Sequence, residues 1–135
     1  MKDPVGGALL RPDELPWVER GGGARTVRLV SRACGAQALH NGITLFAGGG
    51  AIPLHTHDVE ESVLVLEGRA RVELGDATLE AGPGDTTWVP AGVPHRFVNA
   101  SPTEPLRIFW TYASVDARRT LVATGETRTI DREHG

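Results

Sequence analysis

Five histidines stand in the chain, at 40, 55, 57, 95 and 134. His55-Thr56-His57 sets two imidazoles two residues apart. On an extended strand, residues i and i+2 point to the same face. Two rings so placed can converge on one ion, with nitrogen–metal distances of about 2.0–2.2 Å. Glu61 lies four residues beyond His57 and keeps its parity, whereas Glu60 has the opposite one. If the backbone stays extended, Glu61 turns inward and Glu60 faces out or pairs on the rim. A pair of histidines at this spacing also arises by chance, so the elements that carry them matter.

Those elements read as short strands. The 17 glycines and 9 prolines are spread along the whole chain. No window shows a convincing 3.6-residue apolar period, and short apolar runs alternate with Gly/Pro punctuation. Strands are predicted at 25–30, with Val27 and Leu29 on one face and Arg28 on the other, and at 43–47. A denser apolar strand at 61–66 reads as covered on both faces. The segment 69–74 puts Ala70, Val72 and Leu74 on one side and Arg69, Arg71 and Glu73 on the other. Gly75-Asp76 turns it back into 77–80 as a hairpin. Strands at 86–89 and 95–98 flank the Pro90–Pro94 turn, and 106–112 alternates with Leu106, Ile108, Trp110 and Tyr112 on one face. A last hairpin is predicted from 120–123 and 127–130. This pattern is all-β, a sandwich or barrel.

The chain divides into an N-terminal arm (1–23), a barrel (24–112) and a C-terminal arm (113–135) of the same domain. Three prolines and the Gly21–Gly23 run oppose regular structure in the first arm. It reads either as a loose terminus or as a segment docked on a partner subunit, with Trp17 its large apolar anchor.

Composition removes several functional classes. With 135 residues the prior is one domain, and 40% apolar with 23% charged residues is globular rather than disordered. A formal charge of −3 argues against nucleic acid or an anionic membrane as main partner. One cysteine permits no internal disulfide and no cysteine-based zinc site. The apolar runs are too short to span a bilayer, and Met1-Lys2-Asp3-Pro4 lacks the apolar core of a signal peptide. A cytoplasmic enzyme or binding protein is the expectation that remains.

A wider spacing carries a resemblance. Gly49, His55, His57, Glu61 and Gly68, separated by five, one, three and six residues, resemble the first cupin motif. Gly84, Pro90, Gly92, His95 and Asn99, separated by five, one, two and three residues, resemble the second. The 15 residues between the motifs are similar to those of small single-domain metal-binding cupins of the RmlC-like type. The resemblance implies an antiparallel jelly-roll β-barrel. It implies one divalent transition metal held by His55, His57, Glu61 and His95, and a homodimer acting on a small molecule. Three neutral imidazoles and one carboxylate suit Fe, Mn, Ni, Co, Cu or Zn. With six ligands preferred, two positions stay open for substrate, water or dioxygen.

The implied function is that of a metal-dependent oxidoreductase, dioxygenase-like, on a small organic molecule. Two alternatives stand beside it: a metal- or ligand-binding or sensing cupin without turnover, and a non-redox metal-dependent lyase, isomerase or hydrolase. Inward parity suggests Leu45, Val63, Val65, Trp88, Phe97, Trp110 and Tyr112, with Ile43, as pocket lining or simply barrel core. Their apolar character favours an apolar or aromatic substrate. Arg28, Arg96 and Arg107 are expected to face away, and an inward arginine would point to an anionic substrate instead. Asn99 serves either the site or a turn. Cys34 reads as a small buried hydrophobe, His40 and His134 as surface or loop residues, and Arg118-Arg119 as a solvated pair.

Overall fold

The computed structural model describes residues 6–130, so His134 and the Met1–Pro4 segment lie outside the described residues. Twelve strands form two six-stranded sheets, and every pairing is antiparallel. In chain order they are β1 (Trp17–Gly21), β2 (Ala24–Arg28), β3 (His40–Phe46), β4 (His55–His57), β5 (Glu61–Glu67) and β6 (Ala70–Leu74). The remainder are β7 (Ala77–Ala81), β8 (Thr86–Val89), β9 (His95–Asn99), β10 (Leu106–Tyr112), β11 (Arg118–Leu121) and β12 (Thr127–Thr129). One sheet runs β1-β2-β3-β10-β5-β8, the other β12-β11-β4-β9-β6-β7. This is the all-β jelly roll expected. No helix among the described residues is long and apolar enough to cross a membrane.

Alternation builds the interior. Along β10, Leu106, Ile108, Trp110 and Tyr112 are buried while the residues between them are half-exposed. Val63 and Val65 of β5, Val72 of β6 and Phe97 of β9 meet them in one cluster. Each such side chain contributes about 1.5–3 kcal/mol on leaving water. Two glycines are dictated by this packing. At Gly42 a Cβ would come within 2.6 Å of the Trp110 ring, so no larger residue fits beneath the indole. Gly68 combines a φ of +89° with a close approach to the Pro105 carbonyl, so it needs both the left-handed conformation and the missing Cβ.

Several expectations are corrected here. Residues 17–21 are not irregular: they pair with β2 as an edge strand, and the left-handed glycines 21–23 form the tight connection between the two. β5 is covered on one face only, since Ser62 is exposed and Leu66 is 41% exposed. Leu45 and Ile43 point out of the barrel, because Gly42, Thr44 and Phe46 hold the inward positions of β3. Trp88 is 62% exposed; its indole N–H donates to Glu60 Oε1 (2.8 Å) on the outer surface, while Val89 turns inward. Register puts Arg28 on the same face as Ala24 and Thr26, opposite to expectation. Arg96 and Arg107 do face outward, paired with Glu73 and Glu67. His40 is fully buried, edge-on to Trp110 and Tyr112. Cys34 is only half-buried, in a 3₁₀ turn at Arg32–Cys34, where its thiol donates to the Ser31 carbonyl.

Candidate metal centre

β4 delivers His55 and His57 to the interior on one face, with Thr56 turned away. β9 opens on His95, which lies directly opposite His55 in the ladder. The three ring centroids are 4.4, 4.8 and 5.0 Å apart. Each Nδ1 faces a backbone carbonyl: Pro53 O at 2.7 Å for His55, Arg118 O at 3.2 Å for His57, Val93 O at 2.9 Å for His95. A carbonyl only accepts, so each Nδ1 carries the proton and donates. The Nε2 atoms of His55 and His57 are thereby left as lone pairs, the orientation a metal-binding histidine needs, while His95 Nε2 faces the Glu61 carboxylate.

Burial reinforces this state. The His57 imidazole is pushed down to about 4, chiefly by loss of water; Glu61 opposes the shift and His95 adds to it. His55 is held well below its ordinary value by burial, then by His95 and His57. Both are neutral at pH 7, as ligands must be.

Glu61 closes the cluster from β5. Its Oε1 lies 3.0 Å from His95 Nε2 and 3.5 Å from His57 Nε2. A carboxylate oxygen and a bare ring nitrogen at that distance repel unless a cation or a proton lies between them. His57 Nε2 is buried and makes no hydrogen bond in the structure. His55, His57 and His95 each offer a donor atom within 4.8 Å of the others, so the cluster could hold a metal ion. A nitrogen-rich set with one adjoining carboxylate fits a divalent transition ion.

A small cavity opens beside the cluster. Phe97, Trp110 and Tyr112 line it with His55, Glu61 and His95. Leu45 and Trp88 do not, because they face outward, and Val63 and Val65 belong to the packed core rather than the cavity wall. Five lining residues escaped the sequence reading: Arg20, Thr44, Ile52, Ile108 and Arg119. Arg119 is 8% exposed, opposite His57 in the β4–β11 ladder, and so is not half of a solvated pair. Strand alternation could have found it, since Arg118 and Arg119 must point to opposite faces. Thr44 accepts from the Trp110 indole (2.9 Å) and contacts the Thr26 hydroxyl at 3.1 Å, which locks the Trp110 ring. Tyr112 stands opposite Glu61 in the ladder, its ring 4.6 Å from His57. Burial first, then Glu61, raises its phenol well above the ordinary value, so it keeps its proton. Asn99 is structural: its amide donates to the Ala47 and Glu104 carbonyls and its oxygen accepts from Ser101 N.

No curated protein matches the sequence. Solved structures do. A polyketide cyclase from Streptomyces resistomycificus superposes with a TM-score of 0.73 at 22% identity, covering 91% of this chain and 84% of that one. A cupin-superfamily sugar phosphate isomerase from Silicibacter pomeroyi gives 0.71 at 20% identity, covering 92% and 94%. An RmlC-like cupin from Shewanella frigidimarina gives 0.68 at 22% identity, covering 77% and 87%. At these identities the likeness speaks for the fold alone. The cupin domain family matches residues 42–112, over half of the chain and including all four residues of the cluster. The chain therefore belongs to the cupin family.

Proposed function

We propose that the protein is a metal-dependent enzyme acting on a small organic molecule, an oxidoreductase of the dioxygenase type. The observation that carries the reading is the convergence of the His55, His57 and His95 rings, with Glu61 Oε1 3.0 Å from His95 Nε2 and 3.5 Å from His57 Nε2. His55, His57 and His95 through Nε2, and Glu61 through a carboxylate oxygen, would hold one divalent transition metal. Bound there, the ion would supply Lewis acidity and, if redox-active, a site for dioxygen beside a chelating substrate.

The chain's own residues support the rest. The Pro53, Arg118 and Val93 carbonyls fix the tautomers and orient the rings before any ion arrives. Ile52, Phe97, Ile108 and Trp110 form an apolar wall that keeps bulk water from the reacting groups. Once the four ligands are assigned, the described lining residues include no ready general base, since Tyr112 holds its proton. Chemistry that relies on the ion and an oxidant suits such walls better than acid–base isomerisation. One feature favours a non-redox reading, in which the Tyr112 phenol donates a proton to a Lewis-acid-bound substrate.

Metal analysis of protein purified without chelator or nickel resin, beside His57→Ala, tests the site. Near-stoichiometric metal is expected, falling below a tenth in the variant. Oxygen uptake with iron, manganese, nickel, cobalt or copper, and none with zinc, supports the oxidoreductase. Turnover retained with zinc transfers the assignment to the non-redox reading, and no metal in either protein overturns both.

A further inference from the structure

The members of the cluster are not held alike. Each imidazole is anchored through Nδ1 to a backbone carbonyl. Glu61 instead reaches the cluster on a long, rotatable side chain, whose freedom must be given up when it binds an ion. Tyr112 stands directly across the ladder from Glu61, and its phenol hydrogen-bonds the carboxylate. A carboxylate only accepts, so the phenol donates. The Tyr112 ring is itself immobilised. It is 4% exposed, sits edge-on to His57 with centroids 4.6 Å apart, and leans against Trp110 at 5.2 Å. Trp110 is fixed in turn by its indole N–H, which donates to the Thr44 hydroxyl at 2.9 Å. A run of contacts thus joins the packed interior to the carboxylate, from Thr44 through Trp110 and Tyr112 to Glu61.

We propose that Tyr112 is a positioning residue: its phenol O–H holds the Glu61 carboxylate where it meets His57 and His95, so that the site is assembled before an ion arrives. The inference rests on the metal-site reading for what the carboxylate binds, but the contact between phenol and carboxylate stands without it. Hydrogen-bond partners behind a metal ligand set its orientation and basicity, and their loss costs about tenfold to a hundredfold in affinity. A phenol proton engaged by Glu61 is also withheld from a substrate, which weighs against the non-redox role for the same group.

Titration of the chelator-stripped full chain with cobalt(II), read by visible absorption and by competition with a chelating dye, tests it. Wild type, Tyr112→Phe, Glu61→Ala and the double variant are compared. Tyr112→Phe is expected to weaken cobalt(II) binding by about tenfold to a hundredfold and to change the spectrum of the bound ion. In the Glu61→Ala background the same exchange should change affinity by less than about twofold, because the phenol has no carboxylate left to hold. Unchanged affinity in Tyr112→Phe, or an equal loss in the Glu61→Ala background, would overturn the proposal. A second measurement needs no metal. Tyr112 is the only tyrosine in the chain, so protein carrying tyrosine labelled with carbon-13 at Cζ reports on this phenol alone. In metal-free protein its resonance is expected to shift in Glu61→Ala and to stay in place in Glu60→Ala, whose carboxylate accepts from Trp88 on the outer surface. A resonance unmoved by Glu61→Ala overturns the proposal, and decides it should Tyr112→Phe fail to fold. Wild type that takes up no cobalt(II) yet shows the shift would sink the metal reading and leave the contact standing. Tight cobalt(II) binding with an unmoved resonance would do the reverse.

Discussion

The two ends of the barrel are built from the same strands and behave as opposites. β5 starts at Glu61 and continues through Val63 to Val65; β10 ends at Tyr112 after passing Leu106, Ile108 and Trp110. β9 runs from His95 through Phe97 to Asn99. At one end the inward positions are His55, His57, Glu61, His95 and Tyr112, all buried and all polar. At the other they are Phe46, Val65, Ala70 and Leu106, with the Asn99 amide tying the Ala47 and Glu104 carbonyls across the gap. One inward register thus serves two purposes. The closed end gains free energy by dispersion and desolvation of apolar area. The open end gives some back, because buried ionisable groups lose water. The buried ionisable cluster is held at one end because packing at the other overdetermines the strand positions.

The largest effect that separates the two ends should come from Phe46→Ala. It removes a fully buried ring and is expected to cost about 3–5 kcal/mol in urea denaturation. Metal content per folded molecule should not change. If the surviving folded protein also loses its metal, the ends are coupled and the comparison fails.

Acid should unfold the protein through the open end. In metal-free protein the His57 pKa of about 4 lies below its unfolded value of about 6.5. The unfolded chain therefore binds more protons between those values, and stability present above pH 6.5 is lost as pH falls toward 4. His57 alone accounts for a loss of about 3 kcal/mol, with His55 shifted in the same direction. Urea midpoints at pH 7.5 and 4.5 check this; a flat profile would show that the histidines are not desolvated as described.

The smallest effect is expected outside both ends. Trp88→Ala breaks only an exposed hydrogen bond to Glu60 and should change stability by less than about 0.5 kcal/mol. A cost above about 2 kcal/mol would mean that the outer face near β8 is covered in solution.

Strand periodicity made much of this legible from the residues. The inward turn of Glu61 against the outward turn of Glu60 follows from parity, as does the shared face of Leu106, Ile108, Trp110 and Tyr112. The last hairpin and the pairing of β6 with β7 were legible from turn residues. Hydrophobicity misled where both faces of a strand are apolar or where a charge goes inward. On β3, Ile43 and Leu45 look more core-like than Gly42 and Thr44. Yet the Trp110 ring needs the missing Cβ of Gly42, and its N–H needs the Thr44 hydroxyl. Trp88 fails for the converse reason, being large but satisfied on the surface by Glu60.

By itself, the sequence determined the strand alternation, the turns that need glycine or proline, and the pairing of His55 with His57 on one face. Those are local properties, set by a two-residue period and by φ restrictions within a few bonds. Only the tertiary structure decided that Arg20 and Arg119 join the histidines, that His40 is buried behind Tyr112, and that Leu45 leaves the cavity to Thr44. Those depend on which strands become neighbours: β11 beside β4, and β3 beside β10. Which side of a strand is inside is settled by the bulk and hydrogen-bonding demands of residues far away in the chain.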